Sequence, residues 1–483
     1  MFIGDVTMDK TILLSPYEIA IITGGKWDNY DKAMKFTGIN YYLPYLEAGN
    51  LFITTNPEQW SSKSINGELK CEYYFSKGAS AVMVRRTADV QTEKPLLRVD
   101  NTKKALRDIA IATSHFSRAK RVLVTGTEGK TNFKFQLNHM IKDQIEVHVQ
   151  LDSANMDLPI WQNLANIKSS SELAIVEVAV PAANIGPMRS RYIKPDVCVI
   201  TELGFEHMIS HGSIEALVKN KVSVVEGLSL NGLCVLNGDN QFYNDALEEV
   251  GRLRPDVNVV SFGHGINNDA RSLSKIFDGK GWDVTISLKG DVYEYNVPFV
   301  EEFAPINSLM VLSVVYYLGL DINKSIAALA DYSPFETHGG IFQLQHQGSN
   351  YTLYDQSYRG KYQPFISFFK TIKNINAGTA GRRILIMSQI VDDRDFGFFD
   401  FDEFIGFFKA ANIDILYTVD KFKVHAHIID GSTQWLKHGD SYADIIDDVV
   451  KDIQANDTIF IKGVHSSGLY KLAAALKSLA SSN

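Results

Sequence analysis

Cysteine is scarce: Cys71, Cys198 and Cys234 are the only three in 483 residues. So few cannot form a disulfide framework, and their spacing matches no metal motif. Each reads as a small buried hydrophobe, and a reducing cytoplasm is the expected setting. A basic excess is also missing: 48 Lys+Arg face 56 Asp+Glu, a formal net charge of -8. That argues against a dedicated nucleic-acid binder, which carries a basic excess or stripe. No apolar run reaches the roughly 18 residues of a membrane span, so none is expected. The opening stretch MFIGDVTMDKTILLSPYE places Asp5, Asp9 and Lys10 where a secretory signal would be apolar. Internal repeats and low-complexity tracts are absent as well, which removes solenoids and disordered arrays.

What is present is an ordinary globular composition, 45% hydrophobic and 22% charged. The length suggests about three domains of roughly 150 residues each. Residues 1–117 read as a small α/β unit, with strands at Leu51–Thr55 and Ser80–Arg86 and a helix over Lys103–Phe116. From 118 to 333 strand and helix alternate. Arg121–Thr125, Leu173–Val180, Val197–Thr201 and Leu233–Asn237 are short, nearly all-apolar runs, the pattern of strands buried on both faces of a parallel sheet. A helix over Asn307–Gly319 closes this region, and Tyr332–Gly340, with Pro334 and two glycines, reads as a linker. In 334–483 the alternation resumes, with strands at Arg383–Ser388, Ile415–Val419 and Thr458–Gly463. Helices are expected over Asp402–Ala411, Tyr442–Ile453 and Ser467–Ala480. The fold class is therefore α/β: three domains, a central parallel-sheet P-loop ATPase domain and a Rossmann-like C-terminal domain without the G-x-G-x-x-G fingerprint.

The sharpest motif is Gly126-Thr127-Glu128-Gly129-Lys130-Thr131. A strand precedes it, and a helix with Phe133, Leu137, Met140 and Ile141 on one face follows. Strand, Gly-rich turn, Lys-Thr and helix form the context of a phosphate cradle. Glycines let backbone N–H groups approach an anion, Lys130 neutralises the β/γ-phosphates, and the Thr131 hydroxyl suits Mg²⁺. The loop is shorter than a general P-loop, because Val124 stands where that motif has its first Gly. Glu177 lies near the end of another apolar run, where ligands bind in open α/β sheets. A carboxylate there is costly unless paired or metal-bound. The alternative is a buried Glu satisfied by a neighbouring Lys.

These segments, taken in order, resemble the Mur ligase family, and within it the members that add D-alanyl-D-alanine. The resemblance runs over nearly the whole chain. It is carried by SPYEIAIITGGKW, LVTGTEGKT, AIVEVAV, PDVCVITELGFEHMISHGSIEALVKNK, VLNGDN, FAPINSLMVLSVVYYLG and KGVHSSGL. It implies ATP and Mg²⁺ as cofactors, with Gly126–Thr131, Asn307 and Asp355 binding nucleotide and Asn307 near the adenine. It makes Thr131, Glu177 and His207 the magnesium ligands, and Lys130, Glu177, His207 and Lys221 the catalytic set. An ammonium beside Mg²⁺ would be repelled, and the resemblance implies that Lys221 is carbamylated into a carboxylate-like ligand. A solvated helix lysine beside Lys219 is the other reading. The implied partners are a small-molecule carboxylate acceptor and an amino acid or amine donor. Replacing Glu177 or His207 by Ala is expected to cost activity and leave folding nearly intact.

Several positions depart from the family pattern. The stretch Gly38–Phe52 lacks the Asp-Ser-Arg triplet of the nucleotide-sugar site and offers Tyr41, Tyr42 and Tyr45 instead. Gly339-Gly340 stands where the linker has Gly-Arg. Asp355-Gln356-Ser357-Tyr358-Arg359-Gly360-Lys361-Tyr362 replaces Asp-Asp-Ser-Tyr-Asn-Ala-Asn-Pro. Thr201-Glu202 replaces Thr-Asn, and Val464-His465 replaces the Ser-Arg of the closing turn. The triphosphate loop and metal residues are kept, while both substrate ends differ. The expectation is an ATP-dependent ligase that activates a carboxylate as an acyl phosphate and joins it to an amino acid or amine in a specialised pathway. The alternatives are the UDP-N-acetylmuramoyl-tripeptide D-alanyl-D-alanine ligase of peptidoglycan synthesis and a degenerate nucleotide-binding scaffold.

Overall fold

A computed structural model describes residues 11–56, 60, 67–150, 155–205, 208–332, 339–358, 360–375, 381–390, 401–420 and 433–480. The chain divides into two compact units: residues 1–203 with 215–261 and 317–321, and residues 204–214 with 262–316 and 322–483. The architecture is α/β throughout. Among the described residues no helix is long and apolar enough to cross a membrane.

The first unit holds a five-stranded sheet in the order Lys26–Asp28, Leu96–Val99, Ala81–Arg85, Asn50–Ile53, Gly38–Asn40. Only Lys26–Asp28 pairs antiparallel. Next to it lies the parallel sheet that carries the phosphate loop. There Lys120–Thr125 is flanked by Leu173–Glu177 and Val197–Ile200, with Val147–Val149 and Leu233–Asn237 outside them. All residues of Leu173–Glu177 and Val197–Ile200 are buried. At about 1.5–3 kcal/mol per fully buried aliphatic side chain, such strands dominate the unit's stability.

A helix over Thr102–Phe116 joins the two sheets. Its first turn is capped by the Asn101 side chain, which accepts the Lys104 N–H at 2.8 Å. It buries Ala105, Leu106, Ile109 and Ala110 in one core with Leu51, Met83, Ile160 and Leu164. The Asn166 side chain ties the sheets directly, accepting the Ile39 N–H at 2.7 Å and donating to the Ile39 carbonyl at 2.8 Å.

In the second unit, Ala270–Phe277, Trp282–Leu288 and Asp291–Val297 form an antiparallel meander. A separate six-stranded sheet runs Gly340–His346, Ser349–Gln356, Thr458–Lys462, Arg383–Met387, Ile415–Val419, Gln434–Gly439. It is parallel except for the hairpin of its first two strands. Aromatic residues fill one of its faces, with Phe365, Phe368, Phe369, Phe404 and Phe408 all buried. Of the expected linker, residues 333–338 lie outside the described residues, and Gly340 already starts a strand.

Candidate functional site

The phosphate loop leaves the buried strand Lys120–Thr125 and enters the helix Lys130–Ile141. Two glycines make the turn possible. Gly126 has φ +142, and a Cβ there would sit 2.1 Å from the Thr201 hydroxyl; Gly129, the residue before the helix, has φ +82. Both conformations favour glycine over residues with a Cβ. The Thr127 N–H donates to the Glu202 carbonyl at 2.7 Å. The Thr201 hydroxyl reaches the carbonyls of Thr125 and Glu128. Strand end, loop and next strand are thus pinned together. The Lys130 ammonium folds back on its own loop, donating to the carbonyls of Gly126 (2.6 Å) and Thr127 (3.0 Å).

Thr131 and Glu177 come together as the sequence implied. The Thr131 hydroxyl lies 3.1 Å from both Glu177 carboxylate oxygens. Glu177 is 1% exposed at the end of its strand. Among the described residues two more reach its carboxylate: a lysine, the partner that the alternative of a buried Glu satisfied by a neighbouring Lys calls for, and an asparagine. Lys134, fully buried, places its ammonium 3.2 Å from Glu177 Oε2. The Asn155 side-chain amide donates to Oε1 at 3.0 Å. Asn155 is itself held, since its carbonyl accepts the Ala179 N–H at 3.0 Å and lies 3.5 Å from the buried Arg189 guanidinium. Arg189 also pairs with Asp157 at 2.7 Å. Spacing held a signal for Lys134: it follows Thr131 by three residues on the phosphate-loop helix, hence shares its face. Asn155 gave none.

Glu202, the residue that stands where the family has Asn, is clamped by the side-chain amides of Asn237 (2.7 Å) and Asn240. Burial pushes its carboxyl above the ordinary range, and the two amides counter this in part. Lys221 is 2% exposed on the helix Ile214–Val222, whereas Lys219 on the same helix is exposed. His207 lies outside the described residues. In the second unit, Asn307 sits near the start of the helix Ala304–Leu318. Asp355 is buried there, 3.1 Å from the Lys477 ammonium, and accepts the Ser357 N–H at 3.0 Å.

These residues fit MgATP. A glycine turn with no room for a Cβ at Gly126 opens onto a helix N-terminus, which favours phosphate. A buried carboxylate beside a hydroxyl offers the hard oxygen donors that Mg²⁺ takes.

Comparison with known proteins agrees. The family described as Mur ligase middle domain matches residues 124–315. A UDP-N-acetylmuramoyl-tripeptide--D-alanyl-D-alanine ligase of Bacillus subtilis is 22% identical over 86% of this chain and 88% of its own length. A protein of the same name from Rickettsia prowazekii is 26% identical, but the match spans 56% of this chain and only 60% of that relative. Among solved structures, a MurF crystal structure from Acinetobacter baumannii superposes with a TM-score of 0.79 at 16% identity, covering 97% of this chain and all of that one. The MurF ligase of Thermotoga maritima in complex with ADP gives 0.72 at 16% identity, covering 92% and 98%. Residues 124–315 thus carry the Mur ligase middle domain, nearly the whole chain shares the MurF fold, and the similarity supports an ATP-dependent, ADP-forming amide ligase that uses Mg²⁺.

Proposed function

We propose that this ligase joins an amino acid or amine to a substrate carboxylate other than that of the uridine-linked muramyl tripeptide. The observation that carries the ligase chemistry is the Thr131–Glu177 contact at the mouth of the glycine turn. In the reaction, a carboxylate oxygen of the acceptor takes the γ-phosphoryl group and ADP leaves. The donor nitrogen then adds to the acyl carbon, loses a proton, and phosphate departs. Lys130 and the loop N–H groups bind and orient the phosphates, where fixed donors act on developing charge. Thr131, Glu177 and His207 would hold Mg²⁺, which supplies charge neutralisation between two anions. Lys221, if carbamylated, would add a further oxygen ligand.

Both substrate ends support a changed specificity. At the first, Tyr41 packs on Trp60 with ring centroids 5.2 Å apart, so it belongs to the core. Tyr42 and Tyr45 do not: they form an edge-to-face pair at 5.3 Å and are 40% and 48% exposed. Such rings offer stacking area with a hydroxyl tip, suited to a sugar ring or an apolar carboxylate better than to a diphosphate. At the other, His465 stacks on Tyr470 and meets Tyr358 edge-on, each at 4.8 Å. Both flank strand C-terminal ends of the six-stranded sheet, where ligands bind in such folds. The imidazole stands where the family has a guanidinium.

A second reading is the UDP-N-acetylmuramoyl-tripeptide D-alanyl-D-alanine ligase itself, favoured by relatives of that name that align over most of the chain. A coupled ADP-release assay with the muramyl tripeptide nucleotide and D-alanyl-D-alanine separates the two. Background ADP release is expected. Turnover near about 1–10 s⁻¹, an ordinary enzyme rate, would establish the second reading.

A further inference from the structure

Lys134 has no part in the reaction described so far, yet it is a fully buried ammonium 3.2 Å from the carboxylate expected to bind magnesium. It lies fully buried on the helix that follows the phosphate loop, and its ammonium also sits 4.8 Å from the centre of the Phe135 ring. A buried lysine is costly unless paired, and Glu177 supplies that partner. Glu177 does not need Lys134 for its orientation. The Thr131 hydroxyl and the Asn155 amide already fix both carboxylate oxygens, and Asn155 is anchored through Ala179.

We propose that Lys134 is the resident counter-ion of Glu177, which Mg²⁺ must compete with, so that this lysine sets the magnesium affinity of the nucleotide site. The inference rests on the reading of Glu177 as a magnesium ligand. Two cations drawing on one carboxylate at this distance repel each other, and the low dielectric of the interior strengthens that repulsion. The coupling is reciprocal: Lys134 weakens the hold on Mg²⁺ by the factor that Mg²⁺ weakens the Lys134–Glu177 pair. The chain thereby avoids an uncompensated buried carboxylate in the absence of metal, at the expense of metal affinity. Lys134 acts only through Glu177, by its charge.

The test is a MgCl₂ titration of the full chain at fixed ADP, read as the thermal-shift midpoint in magnesium concentration. Lys134→Met removes the charge, Lys134→Gln removes it while keeping a donor, and Lys134→Arg keeps it. Met and Gln variants are expected to reach their midpoint at magnesium concentrations lower by about fivefold or more, although they start from a lower melting temperature. The Arg variant is expected to titrate near wild type. A purely structural lysine would lower melting temperatures and leave the magnesium midpoint alone, and that result would overturn the proposal. Should the Met variant not fold, the Gln variant decides alone. Glu177→Gln separates the two levels of failure. If it titrates like wild type, Glu177 is no magnesium ligand and both readings fall. If it loses the magnesium response while the Lys134 midpoints stay unchanged, only the competition fails.

Discussion

The Thr131 hydroxyl stands 3.1 Å from both oxygens of Glu177, a residue 46 positions away on the neighbouring strand. The phosphate-loop helix and the strand Leu173–Glu177 thus deliver a hydroxyl and a carboxylate to one point. Thr131→Val keeps the shape and deletes the oxygen. Hydrogen bonds and ligand contacts involving charged groups are worth about 1.5–3 kcal/mol. ADP affinity in the presence of Mg²⁺ should therefore fall roughly tenfold to a hundredfold. Without Mg²⁺ the variant and wild type should bind ADP alike, which equilibrium titration in MgCl₂ and in EDTA checks.

Lys130 bonds to the Gly126 and Thr127 carbonyls, which keeps the ammonium over the loop that would receive the phosphates. Lys130→Ala should weaken ATP binding by a similar tenfold to hundredfold, about 1.5–3 kcal/mol of charge-assisted contact. Its ATP hydrolysis should fall further, because the lost charge matters more in the transition state. Hydrolysis equal to wild type, in protein free of other ATPases, would remove the loop from the mechanism.

Glu177→Ala was expected from the sequence to leave folding nearly intact, and Lys134 changes that expectation. With Glu177 gone, a fully buried ammonium loses the carboxylate 3.2 Å away. Breaking a buried pair by removing one partner costs about 3–5 kcal/mol. Denaturant unfolding of Glu177→Ala should show a loss of that order. Adding Lys134→Met should recover much of it, since a neutral pair of positions has no stranded charge. Additive losses in the double variant would mean that the two side chains are not coupled.

Much of the fold could be read in the chain, and the reason is burial. Val122–Val124, Leu173–Val176, Val197–Ile200 and Leu233–Leu236 are covered on both faces, so their residues are apolar without interruption. The meander Ala270–Phe277, Trp282–Leu288, Asp291–Val297 was not read. It is half exposed, and ARSLSKIF mixes serine and lysine into its pattern, with a register shift between Ser272 and Ser274. The hairpin Gly340–Gln356 escaped because its first strand alternates half-buried and exposed positions and opens on glycine, with no buried apolar run to mark it. In the site, the glycine turn, Thr131 and Glu177 were legible because backbone freedom and strand-end position leave marks in sequence. Lys134 left a trace, three residues after Thr131 on the same helix, whereas Asn155 left none because its role follows from contact across elements. The burial of Lys221 beside an exposed Lys219 was likewise open until the helix Ile214–Val222 was oriented.

Glu301 makes stability depend on pH. Its carboxyl is fully buried and accepts the Tyr354 hydroxyl at 3.0 Å. Tyr354 in turn accepts from Gln356 at 2.6 Å, and the Lys462 ammonium donates to Gln356 at 3.0 Å. Gly339 presses on the same carboxyl: a Cβ at its φ of +135 would lie 2.1 Å from Oε1. Lys462 is two contacts removed, with Tyr354 and Gln356 between, and the second carboxylate of that turn, Glu302, pairs with Lys275 at 2.7 Å. Burial therefore dominates and pushes Glu301 up from 4.5 to about 7, opposed in part by the hydrogen bonds. For an acid raised in the folded state, the native protein holds its proton over a range in which the unfolded chain has lost it. Stability from this group is full below the unfolded value and falls as pH rises. The window runs from about 4.5 to about 7. Glu301→Gln, which mimics the protonated form, should flatten that decline while leaving stability at low pH little changed. Denaturant melts of both proteins at intervals across the window measure the difference. A wild-type slope that survives the substitution would assign the decline to another group.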